Sequence, residues 1–330
     1  MTEVYFSREI DKILEKLDYS KLGENVAIKV HFGEEGCVTY IDPQIVRAVY
    51  DKLKDLGKKA TLVECNTLYK GERTTSTNHI RLAKSHGFDF APVDILDGEY
   101  GQDYVEINGC KIAKGTKKYD SMVVLTHFKG HMFSGFGGAI KNMGMGLGSR
   151  AGKLYMHANM KPSVNSGKCS ACGICMNSCN ESAISISGVS AKINSEKCVG
   201  CAMCIAVCPN DAINIPWGSQ TGEELQRKIV DYAEGAIKAF SKDKIVYINV
   251  LENITPECDC METKQEPIME DVGILMSGDI VAIDKASLDL VRKHSDGKFD
   301  KINRVNKDFQ VEYAAKNGLG SKEYELVELD

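Results

Sequence analysis

The chain has 330 residues, is 43% apolar and carries a formal net charge of −5 at pH 7. That length suits more than one domain, the apolar share is enough for an ordinary core, and the acidic balance argues against nucleic acid as a partner. No apolar run reaches the length of a membrane span, and the N-terminal MTEVYFSREIDKILEKL reads as a charged amphipathic helix without a signal-peptide core, so a cytoplasmic chain is expected.

From Asn25, NVAIKVHF reads as a buried strand, followed by a loop, GEEGCVTYIDP, and a helix at PQIVRAVYDKLKDLG. In that helix Ile45, Val46, Val49, Tyr50 and Leu53 recur at helical spacing, and Gly57 ends it. KATLVEC makes a second strand, NHIRLAKSHG a helix closed by Gly87, VEINGCKI a β-rich stretch and YDSMVVLTHF a third strand. Beyond a cysteine-rich middle, EELQRKIVDYAEGAIKAF reads as a helix, KIVYINVL as a buried strand and PECDC as a loop. VGILMSGDIVAID, a helix at KASLDLVRKH and a short charged tail complete the chain. Strands and helices alternating at these lengths predict an α/β fold with a mostly parallel sheet covered on both faces.

Several polar residues follow the predicted strands: His31 and Cys37 the first, Cys65 the second, His127 and His131 the third, Cys258 and Cys260 the late one. The carboxyl ends of an open parallel sheet converge on one crevice, where such folds bind ligands. In an extended segment, residues two apart point to one side, so the thiolates of C-D-C are candidates for a third metal centre, with Cys37, Cys65, His127 and His131 as further ligands; the alternative is buried, inert cysteines. Cys110, in a predicted hairpin, reads as packing. The run THFKGHMFSGFGGAIKNMGMGLGSRAGK is rich in glycine, and a helix opening at Gly138 would aim its N–H groups at an anion. It is no nucleotide phosphate loop: Leu147 stands where the first glycine belongs, and Leu154 follows Lys153 where Ser or Thr would hold magnesium. His127, His131 and Lys141 are the candidate catalytic groups, Lys141 as an anion anchor or proton donor. Their structural alternatives are hydrogen-bonded histidines of a turn and a solvated lysine. Arg73, His79 and His157 stay open between site and structural duty.

Eight of the thirteen cysteines form two copies of C-x2-C-x2-C-x3-C, each cysteine of the first having its counterpart 29 residues on. Three cysteines at intervals of three can wrap one face of an iron–sulfur cube, whereas the fourth lies too far along to cap the same cube and ligates the other cluster. The expected sets are Cys169, Cys172, Cys175 and Cys208 for one 4Fe–4S cluster, and Cys198, Cys201, Cys204 and Cys179 for the second. Disulfides suit small secreted chains and zinc takes four ligands per site, so neither explains the repeated run. The stretch resembles two-cluster bacterial ferredoxins over about 168–216, with Asn180 where a proline would follow Cys179. The expected layout is an α/β domain in two parts, 1–167 and 217–330, interrupted by a ferredoxin-like insert at 168–216.

VAIKVHFGEEG, the Tyr69-Lys70-Gly71-Glu72-Arg73 turn, THFKGHMFSGFGGAIKNMGMG, the cysteine repeat, CDC and IVAIDKASLDL together resemble the domain of unknown function 362 family, in its ferredoxin-containing branch. That resemblance implies an iron–sulfur protein of anaerobes and names no substrate. More distantly, Gly137, Gly138 and Lys141 are similar to a segment of the lactate racemase family, which implies a two-lobed fold with a cleft. The expected function is an iron–sulfur electron-transfer protein, a candidate oxidoreductase or reductase component, passing low-potential electrons to a metal or substrate site in its α/β domain or to a partner reductase. The alternatives are a non-catalytic ferredoxin-like carrier with a docking domain for its redox partner protein, and a cofactor-dependent isomerase resembling lactate racemase.

Overall fold

The computed structural model describes residues 1–329. Eight strands make one sheet: β1 (Thr2–Ser7), β2 (Asn25–Lys29), β3 (Lys59–Glu64), β4 (Val93–Ile95), β5 (Ser121–His127), β6 (Ile245–Leu251), β7 (Gly273–Ser277) and β8 (Tyr324–Glu328). Their spatial order is β8-β1-β7-β6-β5-β2-β3-β4. Only β7 runs antiparallel to its neighbours, β1 and β6; the other pairs are parallel. The fold is therefore α/β with a mostly parallel sheet.

Alternation along each strand builds two cores. Val26, Ile28, Val123 and Leu125 point to one face, where they meet Ile13, Leu14 and the apolar stripe of α1 (Pro43–Asp55). Ala27, Met122 and Val124 point to the other, where they meet the α3 (Ala139–Leu147) side chains Ile140 and Met143, Ile229 and Ala233 of α5 (Gly222–Ala239), and Ile283 and Leu288 of α6 (Ile280–His294). Both faces are covered, as a parallel sheet requires. Two shorter helices, α2 (Ser76–Ser85) and α4 (Arg150–His157), complete the layers. The starts are set locally: Pro43 opens α1 while Asp42 accepts from Gln44 N at 2.8 Å, and Thr221 and Glu224 form a reciprocal cap on α5. Because Asp279 accepts from Val281 N and Ala282 N, α6 begins at Ile280 and takes in the whole IVAID stretch.

Three expectations are corrected. Residues 2–7 are a strand, and the N-terminal helix is confined to Ile10–Lys16. The charged C-terminal tail carries a helix, Phe309–Lys316, and the edge strand β8. These two ends pair with one another, and the first also pairs with β7, so their structure depends on partners across the whole chain. Nor do the parts flanking the cysteine repeat make two lobes: β5 from the first pairs with β6 from the second inside one sheet. No helix among the described residues is long and apolar enough to cross a membrane.

The helix α3 is positioned by a buried carboxylate on α6. Asp284 accepts from Ala139 N at 2.7 Å, Ile140 N at 2.9 Å and Asn249 Nδ2 at 2.9 Å. A Cβ at Gly138 would collide with that carboxylate, and one at Gly144 would collide with the Ile229 carbonyl of α5, so glycine is needed for both close approaches. Asp284→Ala leaves three buried donors unpaired and should destabilise the chain by about 3 kcal/mol or more, read as a lower urea midpoint at unchanged slope. Burial pushes Asp284 up to about 6, against the Ile140 N–H and Asn249. The folded state thus favours the proton, so this group's contribution to stability is present at low pH and is lost as pH rises through about 6. Asp284→Asn should flatten that part of the stability–pH curve.

Candidate functional site

Residues beyond β2, β3 and β5, together with the loop after β6 and the inner faces of α3 and α4, line one cavity of ≈ 500 Å³. Its walls are cationic. Four basic side chains face it, Arg73, Lys129, Lys141 and Lys153, against the carboxylates of Glu64 and Glu257. Glu64 is already paired with the buried Lys29 of the neighbouring strand, at 2.8 Å.

Two buried networks hold this wall. Arg73 donates through Nε to Glu34 Oε2 at 3.1 Å, through one terminal nitrogen to His31 Nε2 at 2.8 Å and through the other to the Tyr69 hydroxyl at 2.6 Å. Burial and the Arg73 charge push His31 well below its usual range, so it stays neutral as an acceptor. In the second network Asp259 accepts from Lys129 Nζ at 2.9 Å and from His127 Nδ1 at 2.9 Å. Burial alone would raise the Asp259 carboxyl, but the charges of His127 and Lys129 hold it well below the usual carboxylate range. His127 Nε2 donates to the Glu252 carbonyl at 2.9 Å. Each ring nitrogen therefore faces an acceptor of the protein itself.

His131 and Lys141 are differently placed. His131 Nδ1 accepts from Ser134 N at 3.1 Å and Phe133 N at 3.3 Å, which leaves the ring proton on Nε2, without a partner among the described residues. Burial first, then the Lys141 charge, pushes His131 well below its usual range, so it is a neutral donor. Lys141 has no hydrogen-bond or ion-pair partner among the described residues and opens into the cavity. Its stem and that of Lys129 converge over Gly137, where a Cβ would lie 3.6 Å from each. Burial, then the Lys129 charge, lowers the Lys141 ammonium to about 7.

Of the residues expected at the crevice, His127, His131, Lys141, Cys65, Cys258 and Cys260 line the cavity, and Cys37 does not. Cys37 lies against the Thr39 hydroxyl at 3.7 Å. Burial, then the Asp97 charge, pushes the Cys65 thiol well above its usual range. Cys258 and Cys260 are joined to each other as a disulfide and so present no pair of free thiolates. Among the described residues, no three His, Cys, Asp or Glu side chains gather closely enough to hold a single metal ion. The N–H groups at the start of α3, expected to face an anion, are taken by Asp284. Arg73 and His157 prove to line the cavity. Lys129, Lys153 and Asp259 were missed; Lys29 and Glu64, charges inside otherwise apolar strands, carried a legible signal.

Between α4 and α5 the chain leaves the sheet, and its 29-residue sequence repeat becomes a backbone repeat. Residues with positive φ recur as Ala171 and Gly200, Gly173 and Ala202, Ser182 and Asp211. Short helices recur at Ile174–Asn177 and Met203–Val207. Strands are exchanged between the halves: Ser163–Val164 pairs with Ile213–Asn214, and Ile184–Ser187 with Ser190–Ile193. Cys169, Cys172, Cys175 and Cys208 line one small cavity, and Cys179, Cys198, Cys201 and Cys204 line another. Matching amides donate to sulfur, Ala183 N to Cys179 at 3.3 Å and Ala212 N to Cys208 at 3.2 Å. The unit is docked on the cavity wall: Lys70 donates to the Cys208 carbonyl, and Leu68 and Leu154 pack with Ile205, Cys208 and Ile213.

A family model described as a domain of unknown function (DUF362) matches residues 26–289. No curated protein matches. Among solved structures, the lactate racemase apoprotein from Thermoanaerobacterium thermosaccharolyticum is similar at 11% identity and a TM-score of 0.37, over 76% of this chain and 50% of that one. A Thermotoga maritima protein from a structural genomics consortium is similar at 10% identity and a TM-score of 0.36, over 73% and 48%. The chain thus spans about half the length of each.

With its ammonium lowered to about 7, Lys141 should acylate faster than any other lysine near neutral pH, its rate falling as pH drops through about 7. Mass spectrometry of timed labelling reads this out; a midpoint near about 10, as for an ordinary lysine, would contradict it.

Proposed function

The chain belongs to this DUF362 family, whose description states no activity, and from the chemistry of its own residues we propose that it is an iron–sulfur reductase or reductase component. The observation that carries the reading is the lining of two separate cavities by crossed sets of four cysteines, docked beside a cationic cavity. A 4Fe–4S cluster fits each set. Each set offers four cysteine sulfurs around one cavity, three from one run and one from the other, and backbone amides already donate to Cys169, Cys179 and Cys208. When bound, such clusters supply single low-potential electrons.

The chain's own residues supply the rest. Cys172 and Cys201 are exposed, which gives each set an outward side for a redox partner protein. Leu68, Leu154 and Ile205 make a dry layer on the inward side, next to the loop that carries Tyr69 to the cavity. There, Lys129 and Arg73 are basic groups held in place by their carboxylate partners, and the His131 Nε2–H provides a neutral donor. Lys141, near neutrality in its proton affinity, can give a proton to a group that gains an electron. The cationic, partly unpaired lining favours a substrate site over a carrier's docking surface.

Iron and sulfide analysis of anaerobically purified protein tests this reading. About eight irons per chain are expected, with a fall of roughly half in Cys208→Ala. Stoichiometric zinc, or a chain free of iron after anaerobic reconstitution, would refute it.

A further inference from the structure

The mouth of the cationic cavity is apolar. Met132, Phe133, Trp217 and Met261 line it, and each is between 40% and 46% exposed, although large apolar side chains clustered at an opening usually mark a contact with something else. Below them lie the unpaired Lys141 and His131 Nε2–H, with Lys129 and Arg73 held by their carboxylates. Volume matters here: ≈ 500 Å³ is far more than a bare carboxylate or phosphate fills and falls within the range of about 300–1,000 Å³ typical of organic ligands.

We infer that the cavity binds a small organic anion with an apolar body, its charged head against Lys141 and His131 and its body between Phe133, Met132, Met261 and Trp217. This rests on the cavity being the substrate site. The two ends make separate demands. A charged head without a body leaves the apolar rim wet, and a body without a charge leaves Lys141 and the His131 Nε2–H without a partner. A neutral ligand or a bare inorganic anion satisfies one end alone.

Trp217 is the single tryptophan of the chain and stacks edge-on against His157 at 4.8 Å, so its emission reports on the mouth. The experiment titrates the cluster-loaded, oxidised protein with hexanoate, acetate and 1-hexanol, following Trp217 emission. Hexanoate should bind at least about tenfold more tightly than either of the others, since its added methylenes and its charge each find a complement. Lys141→Gln should abolish the advantage over 1-hexanol, and the surface variant Phe133→Ala should shrink the advantage over acetate while leaving the fold intact by circular dichroism. Equal binding of acetate and hexanoate, equal binding of 1-hexanol and hexanoate, or no binding of any, overturns the inference. Iron content measured on the same sample separates the two readings. About eight irons without the hexanoate preference sinks this inference alone. The preference in a chain that takes up no iron sinks the electron-transfer reading alone.

Discussion

Buried positive charge at the end of a parallel sheet is the constraint on which the site depends. A lysine or arginine removed from water is costly to bury unless it is paired or hydrogen-bonded. Here Glu64 meets Lys29, Glu34 meets Arg73, and Asp259 meets Lys129, all within 3.1 Å. Each pair also ties two stretches of chain together: β2 to β3, the loop after β2 to the turn after β3, and the segment after β5 to the loop after β6. The compensation stops short of Lys141. Lys141 is left without a partner among the described residues, and burial, then the Lys129 charge, lowers it to about 7.

The same constraint explains why two conspicuous motifs act through unexpected atoms. In C-D-C the cysteines draw attention, yet the aspartate between them does the electrostatic part, reaching His127 and Lys129 across 132 and 130 residues of sequence. In the glycine-rich run, the N–H groups at the start of α3 do face an anion, as helix starts tend to, but that anion is Asp284 of the protein itself. Gly138 is then a matter of clearance for that carboxylate, and α3 is fixed in the place from which Lys141 opens into the cavity.

The cysteine-rich unit adds a second kind of order. Its two halves exchange strands, so neither half can form its sheet pairing alone, and each cysteine quartet draws three members from one half and one from the other. Leu68 and Leu154 join its apolar cluster to the loop and helix that line the cationic cavity. The unit and the cavity therefore share a wall.

What the sequence determined by itself was whatever repeats over short range. The strands β2, β3, β5 and β6, the helices α1, α2, α5 and α6, and the mostly parallel arrangement follow from runs whose periodicity and caps lie within a dozen or so residues. The 29-residue cysteine repeat was equally plain, because spacing alone carries it. Tertiary structure decided the rest, since the deciding partners lie far away in sequence. Residues 2–7 become a strand only beside β7 and β8, at the other end of the chain. His127 was legible as a polar residue at a strand end, but only the placement of Asp259 and the Glu252 carbonyl commits both its nitrogens and leaves the cavity to His131 and Lys141. Which buried cation finds a carboxylate, and which is left without one, depends on distances across the folded molecule, and no local pattern encodes those.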